Sequence, residues 1–323
     1  MTKPTLTILK VKLNEMLNYF DKDQRCIFVD YPLHTNVGDL IINTGCEEFF
    51  REHGVNVWRR YSIYDLPKRV PGITDKDVFL LQGGGSFGDI WFDFQPFREG
   101  IMDQYRNNRI IFFPQTVHFK SDEKAAASIQ RMNKHRNFHV FARDLRSLER
   151  LQKLGLRSVS PMPCTAHALA GVIQPSETVK PSGMLHLLRQ DLESGLMPED
   201  LKHIQGDIRD WDLGIFGPRR RMIHYALSNF VKGIGRYGPP LDYHSLWYWH
   251  RDRLIQDGVN AFSRYEGVVT NRLHGMILAL LLHRPVIAFD NNYGKLSTYY
   301  ESWLAGIDGL NFQKMKVADA ACA

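Results

Sequence analysis

Short apolar runs recur along the chain, each ending in glycine, proline or a polar cluster, and helical patterns separate them. Cys26–Pro32 (CIFVDYP), Asp77–Gly85 (DVFLLQGGG), Arg109–Thr116 (RIIFFPQT) and His139–Asp144 (HVFARD) all have this form. Between them, Leu40–Gly54 shows helical periodicity with a terminal glycine, and Ser121–His135 opens on an N-cap candidate at Ser121 or Asp122. Asp144–Gly155 has an acidic start, leucines at helical spacing and a glycine stop. Strands that are apolar on both faces have no side to offer water. Alternating them with helices therefore specifies parallel sheets covered by helices. A second series follows at Gly183–Asp191, Arg264–Gly275 and Arg284–Asp290. The segment ALAGVIQPSETVKPSG, with Pro175, Pro181 and Gly183, reads as the linker between the two series. At 323 residues, two domains are expected. The first is an N-terminal α/β domain over residues 1–178. The second is a C-terminal α/β domain over residues 179–323, with a final helix available to pack back on the first. Both are Rossmann-like, and their parallel sheets face a cleft. Residues 206–248 (with GPRRRM, GIGRYGPP and WYWHR) follow no pattern that assigns them to an element.

With 44% hydrophobic and 24% charged residues, the chain is neither disordered nor fibrous. The formal charge of +6 favours anionic partners such as phosphorylated ligands, a membrane surface or nucleic acid, without choosing among them. No two of Cys26, Cys46, Cys164 and Cys322 have CxxC spacing, which points to a reduced, cytoplasmic protein and away from a disulfide scaffold or a zinc site. The start, MTKPTLTILKVKLNEML, has neither the apolar core nor the small-residue cleavage site of a secretory signal. The longest apolar run, Met276–Leu282, falls far short of the roughly 20 residues that span a bilayer, so any membrane contact would be peripheral.

In doubly wound sheets ligands collect beyond the carboxyl ends of the strands, and the polar motifs fall there. PLHTNVGDLII (Pro32–Ile42) brings a helix start, with its exposed amides, next to His34, Asn36 and Asp39. These would point into the cleft, and a plain capping role for Asp39 is an equally good reading. LLQGGGSFGD (Leu80–Asp89) lets backbone come close to a ligand beside Ser86 and Asp89. It lacks the acidic residue expected after GxGxxG and the Walker lysine, so it supports a nucleotide poorly, and the alternative is a tight strand-to-helix turn. Gln115 and Thr116 end the next strand. Arg143 ends the one after, either holding an anion or pairing with Asp144 or Glu149. Thr165 and His167 lie near the linker, where a lone histidine is more often packed than catalytic. Arg189 follows a strand, suited to bidentate recognition of carboxylate or phosphate, or to an ion pair with Asp191. Arg272 and His274 lie between GVVT and the helix GMILALLLH, while RPVIAFD leads on to Asn291, Tyr293 and Lys295. Adjacent strand ends are close, so Arg272, His274, Tyr293 and Lys295 can share an anion pocket with Arg189. The alternative is a buried Arg272–Asp290 pair with a core histidine.

NVGDLII, GGGSFGD, PQT, ARD, LLRQDLE and NRLHGMILALLLHRPVIAFDNNYGKLSTYYESW occur in this order over Asp30–Trp303. Together they resemble the polysaccharide pyruvyl transferases, above all the exopolysaccharide members that put a pyruvate ketal on a hexose. PCTAH departs from the pattern, with Cys164 where many members have an aspartate, and Cys164 is assigned no role. The resemblance implies a GT-B-like fold, phosphoenolpyruvate as co-substrate, and no metal or other cofactor. It implies donor binding at Arg189, Arg272, Leu273 and His274, to which the pocket adds Lys295, Tyr293 and Asn291. His274 is the implied general acid, and Asp39 and Asp89 are the candidates for general base. The acceptor side falls on the first domain, at His34, Asn36, Gly84, Gly85, Ser86 and Gln115. The implied acceptor is a lipid-linked oligosaccharide or glycoside met at the inner face of the plasma membrane, with no nucleic acid partner. Pro218–Met222, with Lys232 and Arg236, either meets anionic head groups or is a solvated basic face. Two rival readings stay open. One is a GT-B glycosyltransferase using a sugar nucleotide, which would want an acidic ribose partner where arginines and a lysine stand. The other is a non-catalytic protein that binds anions or carbohydrate.

Overall fold

The computed structural model describes residues 4–177, 180–189, 207–211, 215–234, 243–290 and 294–313. Two parallel sheets organise it. The first holds β1 (Cys26–Val29), β2 (Val57–Tyr61), β3 (Val78–Leu81), β4 (Gly84–Gly88), β5 (Arg109–His118), β6 (Phe138–Ala142) and β7 (Val159–Pro161). Its order is β2-β1-β3-β5-β6-β7, with β4 also pairing with β5. Strands β1, β3 and β6 are buried throughout, which is why their sequences show no polar alternation. Their two faces feed two cores. Phe28, Leu80, Ile111 and Phe113 pack with Leu40, Ile41 and Phe50 of α2 (Val37–His53). Ile27, Phe79, Ile110 and Val140 pack with Ile101 of α3 (Phe94–Gln104), Ile129 of α4 (Asp122–Met132) and Leu151 of α5 (Leu145–Lys153).

The helix starts follow local chemistry. Ser121 accepts from Lys124 N at 3.2 Å and caps α4, and Asp144 accepts from Ser147 N at 2.8 Å and caps α5. The cap of α2 is Asn36, which accepts from Gly38 N at 3.0 Å, so the capping role weighed for Asp39 belongs to Asn36. The glycine run is not the strand-to-helix turn considered above. Strand β5 pairs with β3 along its first half and with β4 along its second. Gly88 makes this path possible: its φ is 126° and a Cβ there would lie 1.7 Å from His118 O, a place no side chain can occupy.

The second sheet holds β8 (Met184–Leu187), β9 (Asp207–Arg209), β10 (Gly267–Thr270), β11 (Val286–Phe289) and β12 (Leu310–Gln313), in the order β12-β11-β10-β8-β9. All its pairings are parallel. Its helices are α6 (Pro218–Ile234), α7 (Tyr243–Ser263), α8 (Leu273–Leu281) and α9 (Lys295–Tyr299), which runs on into a π-helical turn over Tyr300–Leu304. The whole is the expected α/β architecture of two Rossmann-like sheets, consistent with a GT-B-like fold. The stretch 206–248 that the sequence left unassigned supplies β9, α6 and the start of α7. Among the described residues, no helix is long and apolar enough to cross a membrane.

Helix α8 is buried on every side and packs, with α7, against α2. One continuous core therefore runs from the first sheet through α2 and α8 into the second. Polar contacts reinforce the junction. Arg251 Nη1 donates to Asn43 Oδ1 at 2.6 Å, and Tyr248 donates to Glu47 at 2.8 Å. From the far end of the chain, Tyr299 Oη accepts from Cys164 N at 3.0 Å and lies 2.9 Å from His167 Nε2. Trp303 Nε1 donates to Arg143 O at 2.7 Å, and Ser302 Oγ accepts from Leu145 N at 3.0 Å. His167 is thus a packed residue, as the more common reading had it.

Three histidines of this framework are buried and neutral, which makes the fold acid-sensitive. Burial, aided by the charge of Arg109, pushes His139 from the ordinary 6.5 to about 4. Burial, aided by Arg220, takes His250 to about 4, and burial alone takes His167 to about 3. The unfolded chain therefore takes up protons first as pH falls. The stability these neutral rings confer is whole above about 6.5 and is lost as pH falls from there through about 4. Urea titrations from pH 7 to pH 4 are expected to show unfolding free energy dropping by up to about 1.4 kcal/mol per pH unit for each such ring. His139 spans Ser158 and Ser160, 2.8 Å from each hydroxyl, and His139→Gln should flatten the slope by one proton's share. Stability unchanged across that range contradicts this account.

Candidate active site

A cavity of about 340 Å³ opens where the carboxyl ends of the two sheets face each other. Asp30 follows β1 with a φ of 77°, and its carboxylate reaches α3. There Arg98, fully buried, pairs with it at 2.7 Å. Burial pushes Asp30 up to about 6 against the pull of that guanidinium. Arg98 also donates to Ser86 Oγ at 2.7 Å and Ser86 O at 3.0 Å, which ties β4 to the same anchor. The α2 start places Asn36 and Asp39 on the cavity wall with His34. Asn36 Nδ2 donates to Asp39 Oδ2 at 2.9 Å, and His34 Nε2 lies 3.7 Å from the same oxygen. Gly84, Gly85 and Ser86 complete this polar wall beside Gln82 and Gly83, and Trp91 and Phe94 add aromatic faces.

The opposite wall is cationic. Asn271, fully buried, accepts from Arg189 N at 2.7 Å, while Thr270 Oγ1 donates to Leu187 O at 2.7 Å and accepts from Arg272 N at 3.0 Å. These bonds lock the ends of β8 and β10 side by side and aim Arg189, Arg272, Leu273 and His274 into one space. Arg272 does not pair with Asp290, as one reading allowed. Its guanidinium grips Asp210, just beyond β9, through Nη2 at 2.6 Å and through Nε. Asp290 instead accepts from Leu296 N at 3.0 Å at the start of α9. Lys295, the first residue of α9, reaches across the cleft to the glycine strand. Its Nζ lies 2.6 Å from where a Cβ of Gly85 would stand, so the ammonium rests directly on the backbone of that glycine.

His274 sits where the walls meet. Its Nε2 is 3.3 Å from Arg143 Nη1 and 3.6 Å from Cys164 Sγ. A guanidinium can only donate, so Nε2 accepts and the neutral ring carries its proton on Nδ1, a tautomer assigned from this network. Burial first, then the charges of Arg143, Lys295 and Arg189, hold the imidazole well below its ordinary 6.5. Arg143 is fully buried and also donates through Nε to Thr116 Oγ1 at 3.0 Å. Neither of its expected partners holds it, since Asp144 accepts from Thr116 Oγ1 at 2.7 Å and caps α5. Burial raises the Cys164 thiol.

Two expected site residues lie elsewhere. Asp89 faces α4, where it accepts from Lys120 N at 2.8 Å and lies 3.8 Å from Lys124 Nζ. The alternation of β4 sends Ser86 to the cavity and Phe87 to the core, and Asp89 follows the strand on the far side. Gln115 is fully buried within β5 and donates to Gln82 O at 2.7 Å, so it supports the wall without lining it. Asn291 and Tyr293 lie outside the described residues. Asp210, Trp211 and Cys164 were not expected as site neighbours, because their contacts join segments remote in sequence. Arg143, read as an anion holder or an ion-pair partner, lies against His274.

One wall therefore offers guanidinium, ammonium and imidazole groups to a compact anion. The other offers a carboxylate, amides and aromatic faces to a polar partner.

Comparisons with known proteins bear on this geometry. A family model described as polysaccharide pyruvyl transferase matches residues 36–293. EpsO of Bacillus subtilis (strain 168), a candidate pyruvyl transferase, is 33% identical over 95% of this chain and 94% of its own length. Pyruvyl transferase 1 of Schizosaccharomyces pombe is 22% identical over 91% of this chain and 74% of its own. A crystal structure of a functionally uncharacterised Klebsiella pneumoniae protein shares the fold, with a TM-score of 0.62 at 18% identity over 95% of this chain and 99% of that one.

Proposed function

The chain belongs to the polysaccharide pyruvyl transferase family, and we propose that it transfers pyruvate from phosphoenolpyruvate to two hydroxyls of a hexose, forming a ketal. The observation that carries this reading is the convergence of Arg189, Arg272, Lys295 and His274 on one cavity wall. Phosphoenolpyruvate bears a carboxylate and a phosphate on the same carbon, C2, and fixed cations meet both charges at once. His274 is neutral in the empty site. A donor with several negative charges offsets the surrounding cations, which favours a second proton on the ring.

His274 then gives a proton to the methylene carbon, forming the methyl C–H bond and leaving positive charge at C2. A sugar hydroxyl adds to C2 and loses its proton to a base. A second hydroxyl of the same sugar attacks C2 as the C2–O bond to phosphate breaks, and its proton leaves on the departing phosphate. Inorganic phosphate departs and the ring ketal closes. Asp39 takes the part of base, because it lines the cavity while Asp89 faces α4. His34, Asn36, Gly84 and Gly85 carry the acceptor, with Ser86 oriented by Arg98. The acceptor is a hexose of a lipid-linked repeat unit, met at the inner face of the plasma membrane.

Thermal unfolding with candidate donors tests the donor class. Phosphoenolpyruvate at about 100 times its dissociation constant adds about 2.7 kcal/mol of stability. A rise in Tm with UDP-sugars and none with phosphoenolpyruvate would instead identify a sugar-nucleotide glycosyltransferase.

A further inference from the structure

Helices α6 and α7 lie side by side, with Arg220 paired to Asp257 at 2.7 Å and the rings of His224 and His250 stacked 5.9 Å apart between them. Their outward faces invert the usual pattern of a surface helix. On α6, Met222 is 67% exposed and Tyr225 71%, and Phe230, five residues further on, is 43% exposed. On α7, Leu246 and Trp249 are exposed three residues apart. Met222 with Tyr225, and Leu246 with Trp249, stand three residues apart, so each of two neighbouring helices exposes a pair of large apolar side chains on one face, more than isolated surface residues.

The charge of the patch has one sign. Helix α6 contains three arginines and a lysine and no acidic residue. Of these, Arg219 and Arg221 are exposed next to Met222 in the chain, while Lys232, also exposed, has its ammonium 5.0 Å from the ring of Tyr64. On α7 the guanidinium of Arg253 lies 3.7 Å over the ring of Trp249, covering that aromatic with a cation. The two acidic residues of α7 are already engaged, Asp257 with Arg220 and Asp252 with Arg251.

We propose that the α6–α7 face docks on an anionic bilayer surface, with its aromatic and aliphatic side chains in the interfacial layer and Arg219, Arg221 and Arg253 against lipid head groups. Tryptophan and tyrosine favour that layer, where one end is apolar and the other wet. Helices with a basic face and large apolar residues lie in its plane. A nucleic acid backbone would engage the cations and leave Met222, Phe230 and Leu246 without a partner. From the proposed function the inference takes only the lipid-linked acceptor: docking would hold the enzyme at the surface where that acceptor is carried.

The test is co-sedimentation of the full chain with vesicles of phosphatidylglycerol and phosphatidylcholine, and with phosphatidylcholine alone. Wild-type protein should pellet with the anionic vesicles and bind the neutral ones at least about tenfold more weakly. Arg219→Glu with Arg221→Glu should lose about tenfold or more in affinity for anionic vesicles. Tyr225→Ser with Phe230→Ser should lose binding at unchanged charge. Both double variants should keep phosphoenolpyruvate-dependent turnover of a soluble glycoside, which shows that they fold. Wild-type protein that stays in solution with both vesicles overturns the proposal. So does a concentration-dependent dimer in sedimentation velocity that Tyr225→Ser with Phe230→Ser abolishes, because the face would then belong to a second copy. Vesicle binding is measured without donor, so a chain that binds vesicles but does not turn over phosphoenolpyruvate upholds docking and sinks the donor reading alone.

Discussion

Replacing His274 with glutamine is expected to lower kcat by about 10²–10⁴-fold, the range for loss of a positioned general acid. The substitution keeps a polar group of similar reach beside Arg143 and Cys164, so the surrounding packing should survive. Phosphoenolpyruvate binding should change little, because Arg189, Arg272 and Lys295 remain to meet its charges. Steady-state kinetics separates the two effects: kcat falls and the donor dissociation constant holds. A variant with wild-type kcat would remove His274 from the chemistry and leave it a packed ring at the bottom of an anion site. Arg143 matters here through His274. It holds Nε2 as an acceptor and opposes protonation of the empty ring, so the proton needed for catalysis is expected to arrive with the donor.

Arg272→Ala is expected to weaken phosphoenolpyruvate binding by about 10²-fold, since hydrogen bonds between charged partners contribute about 1.5–3 kcal/mol. It should also lower stability. Asp210 is 7% exposed and would lose the guanidinium that offsets its charge, and breaking a buried pair from one side costs about 3–5 kcal/mol. Asp210→Asn with Arg272→Ala separates the two effects. The double variant should recover most of the stability and none of the donor affinity. Isothermal titration and urea unfolding of the two proteins measure this directly. Unchanged donor affinity in Arg272→Ala would move the anion site off the β10 end.

The cationic wall was legible because each of its residues follows a strand that is itself easy to read. Strands β8, β10 and β11 are short apolar runs, and Arg189, Arg272 and Lys295 come soon after their ends. The contacts that set the chemistry were not legible. Arg143 meets His274 across 131 residues, Cys164 meets it across 110, and Asp210 meets Arg272 across 62. No local pattern encodes such distances. Asp89 was misplaced because the glycine run reads as a loop, whereas β4 extends it along β5 and turns Asp89 to α4. Helices α6 and α7 escaped for a different reason. Their buried faces carry His250 and Arg251 while Met222, Tyr225 and Phe230 face outward, so the hydrophobic period that marks a surface helix is scrambled. Strand β2, VWRRY, is half exposed and polar, and it lacks the apolar run that revealed its neighbours.

The proposed reaction sets phosphoenolpyruvate, held by the Arg189–Arg272–Lys295 wall beside His274, against a sugar diol. It is tested most directly by incubating the protein with phosphoenolpyruvate and a panel of hexosides, following inorganic phosphate and the mass of the glycoside together. The account predicts phosphate release matched mole for mole by a glycoside that has gained a pyruvate ketal, and loss of both in His274→Gln. Phosphate release with no change in any glycoside, or a glycoside modified only when a sugar nucleotide replaces phosphoenolpyruvate, would contradict it.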